Sequence, residues 1–191
     1  MSAQPFALQN ISHVLNGMIS RNALAAPGVL ALGAEEDPEC WAAVVQMAEL
    51  RAYQPTLLKW ENLPGLMRLA HTYDMPVVRA ACADFISRNK DSLTLDAPLT
   101  SPKNILVAAT LVEKYGSGDC GGDGGAHEFG AVDKALDSAL SSLRQTCAPN
   151  TASARSVIAT LRPLVHRKEY ATSISAAVLV KVVRGLVSAF S

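Results

Sequence analysis

Apolar residues recur at helical spacing along most of the chain. Between Phe6 and Ser20, Leu8, Ile11, Val14, Leu15 and Met18 keep the rhythm of one or two short helices. Arg21 to Gly28 is a connection of small residues. Val29 to Leu32, bounded by Gly28 and Gly33, has the length and composition of a single buried strand. Asp37-Pro38 opens a helix, because Asp37 can accept a backbone N–H as N-cap and Pro38 needs no donor at the first helical position. Trp41, Val44, Val45 and Ala48 make its apolar face. Glu35, Glu36 and Glu39 suit the positive end of its dipole and read as a solvated helix start rather than an acid–base pair.

Glu61 to Tyr73 makes the next helix, with Leu66, Leu69, Ala70 and Tyr73 inward. Asp74-Met75-Pro76 breaks it, and Pro76 opens another, lined by Val78, Cys82, Phe85 and Ile86 at i, i+4, i+7 and i+8. The two form a helical hairpin closed by a short turn. Its expected core is Leu66, Leu69, Tyr73, Val78, Cys82 and Phe85.

The pattern then recurs. Ser101-Pro102 is another cap-and-proline start, Asn104 to Tyr115 the helix, and Gly116 its C′ residue. Asn62 corresponds to Asn104, Leu63 to Ile105, Leu69 to Leu111 and Tyr73 to Tyr115. Each copy is followed by a second amphipathic helix, Met75 to Ser87 in one and Phe129 to Leu143 in the other. In the second copy a glycine-rich loop at 117–128 intervenes, expected to be a flexible, dispensable insertion. Beyond Thr146 come a linker, a helix over Ala152 to His166 that Pro163 should kink or end, and a helix over Ala171 to Phe190. A repeated hairpin buries a shared face and speaks of architecture rather than chemistry.

Composition changes this picture little. The 191 residues are 49% hydrophobic and 18% charged with zero formal net charge, a globular balance with no overall field toward nucleic acid. The apolar run Ile174 to Phe190 holds Lys181 and Arg184, each costing about 2.5–3.5 kcal/mol at a bilayer centre. These two fall three apart and read as the polar stripe of a packed amphipathic helix, not as part of a membrane anchor. Cys40, Cys82, Cys120 and Cys147 share no C-x-x-C spacing, and no secretory leader is evident at MSAQPFALQN. Four reduced thiols in the cytoplasm or nucleus are therefore expected.

His13, His71, His127 and His166 lie far apart and share no metal-ligand spacing with a cysteine, so no metal is expected. GDCGGDGG lacks the G-K-[ST] ending of a phosphate loop, and no nucleophile elbow or H-E-x-x-H occurs. No catalytic residue, cofactor or enzymatic activity is expected. Arg51, Lys59, Arg68 and Arg79 lack an aromatic platform and read as solvated surface rather than a nucleic-acid patch.

Trp60 to Ile86 resembles the last two helices of a BTB/POZ domain: Asn62, then a Leu-rich helix ending in Leu69, Ala70 and Tyr73, a short turn, then Cys82 and Phe85. Upstream, Leu8, Ser12, Val14, Leu15 and Met18 fall in the places of an earlier family helix. Val29 to Leu32 resembles a core strand, and Trp41 takes the aromatic place of the next helix. Two features depart from the family. Gln4 stands where a His is usual, and the family's first β-hairpin would fall before Met1. The resemblance implies a mainly α fold. A BTB/POZ-like helical core over 3–89, shortened at its N-terminus and with one or two short strands, would be followed over 100–190 by a BACK-like helical extension of repeated hairpins. It further implies a protein–protein adaptor that bridges a substrate protein to a cullin-3 ubiquitin ligase, with a weak homo-oligomer; the charge balance and the Lys181 and Arg184 stripe point to neither nucleic acid nor membrane as partner. SRNALAAPG lacks the hydrophobic-x-Glu element of many cullin-contacting members. The alternative from the residues alone is a helical repeat scaffold without a ligase role.

Overall fold

Proline and short polar caps set most of the helix boundaries. In the computed structural model, which describes residues 5–22, 36–50, 55–116, 129–144 and 152–189, ten helices follow one another. They are α1 (Pro5–Ile11), α2 (His13–Asn22), α3 (Pro38–Leu50), α4 (Leu63–Thr72), α5 (Pro76–Arg88), α6 (Ile105–Tyr115), α7 (Gly130–Arg144), α8 (Ala152–Val165), α9 (Lys168–Ser173) and α10 (Ala176–Ala189). The chain is thus mainly helical. An isolated parallel bridge between Thr94 and Asn104 is the sole β pairing among the described residues. The expected strand Val29–Leu32 and the glycine-rich loop 117–128 lie outside them.

The caps carry the local logic. Ser12 separates α1 from α2 and starts the latter, its hydroxyl accepting from Leu15 N at 3.0 Å. Asp37 caps α3, its Oδ1 accepting from Glu39 N at 2.9 Å, with Pro38 at the first helical position. Asp74, at φ 44°, makes the left-handed turn between α4 and α5 that an acidic residue tolerates better than most.

The start of α6 differs from the expectation at Ser101-Pro102. Its cap is Asn104, whose Oδ1 accepts from Leu106 N at 3.0 Å. The Asn104 amide also donates to the carbonyls of Ala97 (2.7 Å) and Leu95 (3.3 Å), so one buried side chain fixes both the helix and the loop before it. Gly116 ends α6 at φ −77°, in right-handed backbone, so positive φ is not what selects glycine there. A Cβ would instead run into the Val112 carbonyl oxygen at 2.5 Å and press on Phe129 at 3.2 Å.

Toward the C-terminus Pro163 falls near the end of its helix, and the expectation for the segment after it is corrected. Pro163 lies inside α8, two residues before its end, so the helix continues for a short distance past the missing donor. The single helix expected from Ala171 is two. Ile174 is extended and buried, and Ser175 restarts the chain, its N–H donating to Thr110 Oγ1 on α6 at 3.1 Å.

Packing follows chain order. α1 packs on α2 and α3, α3 on α4, and α4 on α5; then α4 meets α6, α5 meets α7, and α6 and α7 pair with each other. α7 also receives α8 and α10, and α10 touches α6. The buried side chains form one cluster running from Leu8 to Val182, so a continuous apolar spine passes through every layer.

Candidate functional site

The six residues expected to form the hairpin core are all buried. Leu66 and Leu69 on α4, Tyr73 at its end, and Val78, Cys82 and Phe85 on α5 belong to the central cluster. Trp60 stands edge-on to Phe85 at 5.2 Å between centroids, and Trp41 likewise to Tyr73 at 5.2 Å. This region is rigid packing, and it sets the frame on which any surface is displayed.

A polar knot ties α2, α3 and α4 at one corner. The Ser12 hydroxyl donates to the Tyr73 carbonyl. The Glu36 carboxylate accepts from both the Trp41 indole N–H (3.1 Å) and the Tyr73 hydroxyl (3.2 Å). Glu36 therefore does more than decorate a helix start. It clamps the beginning of α3 to the end of α4, a role with no periodic signature in the sequence.

Nearby, the Cys40 thiol donates to Asp37 Oδ2 at 3.3 Å and lies 3.6 Å from the Asn62 carbonyl. Burial, and then the Asp37 carboxylate beside it, push this thiol up to about 12; burial does the same at Cys82. A protonated, enclosed thiol is a packing group rather than a nucleophile. Cys120 and Cys147 lie outside the described residues. Arg79, expected at the surface, is 8% exposed and faces Asp74 at 3.9 Å. Its position on the inward side of α5, one residue after Val78, draws its stem into the interior.

A groove of about 730 Å³ opens where the turn after α5 meets α7. Ala131, Ala135 and Ala139 floor one side, and Ser87, Lys90 and Asp91 rim the other. Its width comes from the small α7 side chains. Among the described residues, no cluster of three or more His, Cys, Asp or Glu side chains could hold a metal ion.

The more distinctive surface lies on α10. Val178, Val182 and Gly185 face inward, and a Cβ added at Gly185 would lie 3.5 Å from the Leu140 side chain of α7. The expected polar stripe is present, Lys181 and Arg184 both being exposed, but valines share the solvent side with it. Lys181 reaches across to Asp133 on α7 at 2.8 Å, while Val180, Val183 and Val187 are 47%, 56% and 61% exposed. The solvent side of this helix thus carries a line of exposed valines beside the exposed Lys181 and Arg184. Its signal was present in the spacing of those valines, but the sequence does not say which of two apolar faces is covered.

Charge is divided along the chain as well. Residues 152–191 hold six of the seventeen Lys and Arg and one of the seventeen Asp and Glu, a net +5 that leaves −5 on residues 1–151.

No family model, curated protein or solved structure matches the chain. No described helix is long and apolar enough to cross a membrane.

Proposed function

We propose that this chain is a protein–protein interaction module of the BTB/POZ type, with residues 3–89 as the domain and 100–190 as its helical extension. It acts in the cytoplasm or nucleus as an adaptor between a substrate protein and a cullin-3 ubiquitin ligase. The carrying observation is the agreement between the family-like run Trp60 to Ile86 and its packing. Leu66, Leu69, Tyr73, Cys82 and Phe85, the residues that make the resemblance, share one core, and Asn62 and Pro64 stand at the start of α4. Ser12, matched by the same resemblance, holds the Tyr73 carbonyl. The reading assigns no catalysis to the chain itself. Affinity capture scored for cullin-3, followed by titration of purified cullin-3 into the full chain, tests it. Saturable binding supports the adaptor role, and absence of binding at high micromolar concentration removes the ligase part.

A second reading, a helical repeat scaffold, is favoured by the layer arrangement. α4 packs on α6 and α5 on α7, so each helix of one pair meets its counterpart in the next, as in stacked repeats. Sedimentation across a concentration series separates a self-associating domain from a monomeric scaffold.

A further inference from the structure

The outward side of α10 has a geometry of its own. Ala176, Val180, Val183 and Val187 are spaced four, three and four residues apart and are all exposed. At 3.6 residues per turn their mean direction lies roughly 160° around the helix from Val178, Val182 and Gly185, the face seated on the protein. A line spaced alternately by three and four is the seam by which one helix receives another, and β-branched residues suit it. A helix apolar on both sides is ordinarily covered on both.

Three occupants fit an apolar seam in different ways. Pairing with α10 of a second copy would bring two +5 segments together, so like charge opposes it. The described residues of the acidic part of a second copy offer no matching stripe. Among the described residues its large exposed hydrophobics are Val14 and Val77, on different helices, whereas the other five lie within 152–189. A lipid surface would call for aromatic or leucine side chains at the seam, and these are valine and alanine. The remaining complement carries negative charge and a heptad line of its own.

We propose that the outward face of α10 docks an acidic amphipathic helix of a partner protein. The partner's apolar seam would lie along Ala176, Val180, Val183 and Val187, and its carboxylates would lie within the field of the basic C-terminal segment. This rests on the reading of the chain as an interaction module and names the class of partner for one surface of it. Over the 14 residues of α10 the contact runs about 20 Å.

The test titrates the full chain into a labelled 21-residue synthetic helix with Leu at a and d and Glu at e and g. The expected result is saturable binding that weakens as salt is raised. It should fall by about tenfold or more in the Val180→Ser/Val183→Ser/Val187→Ser variant. Matched peptides with Lys for Glu, or Ser for Leu, should not bind. If the triple variant loses helicity by circular dichroism, the near-isosteric Val183→Thr supplies the same reading with a smaller loss.

Binding unaffected by these substitutions overturns the proposal, as does no binding at all. Self-association in sedimentation that disappears in the variant would instead make a second copy the occupant. Valine-dependent pelleting with phosphatidylserine vesicles would make it a membrane. Cullin-3 takes no part in the titration, so failure of the ligase reading leaves this result standing on its own.

Discussion

Gly65 offers a sharp test of how α3 meets α4. It sits in the first turn of α4 directly over Cys40, and a Cβ built there would fall well inside van der Waals contact with Cys40 Sγ. The sulfur would have to retreat by roughly 1 Å to reach an ordinary separation. It has nowhere to go, being buried and held by Asp37 and Asn62. Overpacking of this kind costs about 1–3 kcal/mol, against a helix-propensity gain of about 0.5–1 kcal/mol for Gly to Ala. Gly65→Ala should therefore destabilise the chain by about 0.5–2 kcal/mol, a Tm loss of about 2–4 °C per kcal/mol at this size.

The sign should reverse once the sulfur is gone. In a Cys40→Ala background the nearest atom is the residue-40 Cβ, 3.6 Å away, an ordinary contact. The same Gly65→Ala change should then stabilise by about 0.5–1 kcal/mol. Urea unfolding of all four proteins, followed by far-UV circular dichroism, gives the coupling directly, expected at about 1–3 kcal/mol. If Gly65→Ala stabilises the chain with Cys40 present, α3 does not approach α4 here and the argument fails.

Phe85→Ala should cost about 3–5 kcal/mol, since it empties a buried site and removes the edge-on contact with Trp60; a loss below about 1 kcal/mol in chemical denaturation would place Phe85 in a yielding environment. Asn104→Ala should cost about 2–4 kcal/mol, from one lost cap and two carbonyls, one buried and one half-buried, left without their donor. Asn62→Ala, which frees the Leu57 carbonyl from a half-buried site, should cost less, and the reverse order in thermal melts would contradict the burial pattern. Cys40 and Cys82 should resist a maleimide at pH 8 in the native chain and react once it is unfolded, as read by peptide mass mapping. Because unfolded thiols ionise near 9 and these near 12, the unfolded state binds fewer protons between those values. Stability present below pH 9 should therefore decline as pH rises toward 12, and a native thiol titrating near 9 would refute it.

What was legible in the sequence followed from local rules. The Asp37-Pro38 and Pro76 starts, the break at Asp74 and the inward stripe Val78, Cys82, Phe85 and Ile86 each depend on a few neighbouring residues, and their positions agree with the observed helices. Less legible were features set by distant partners. The cap of α6 moved from Ser101 to Asn104 because the asparagine can also hold two carbonyls of the preceding loop. Ser175 breaks the last helix because Thr110, 65 residues earlier, offers its hydroxyl. Glu36 reads as one of several acids before a helix, and its hold on Tyr73 spans 37 residues. The apolar character of α10 was plain, but period alone cannot tell an inner face from an outer one when both carry valine.

The order in which the helices touch has a further consequence for how the molecule opens. Among the described residues the larger contacts pass from each layer to the next, and they join α1 to α3 to the C-terminal helices through α4 to α7. Such a chain need not fluctuate as a whole. Amide exchange should then be graded along the sequence, slowest in α4 to α7, with each end free to open without disturbing the other. A lesion in the knot around Glu36 would release the protons of α3 while those of α10 exchange at their original rate. A ligand gripping α10 would slow exchange there and in α7, and leave the first helices unchanged.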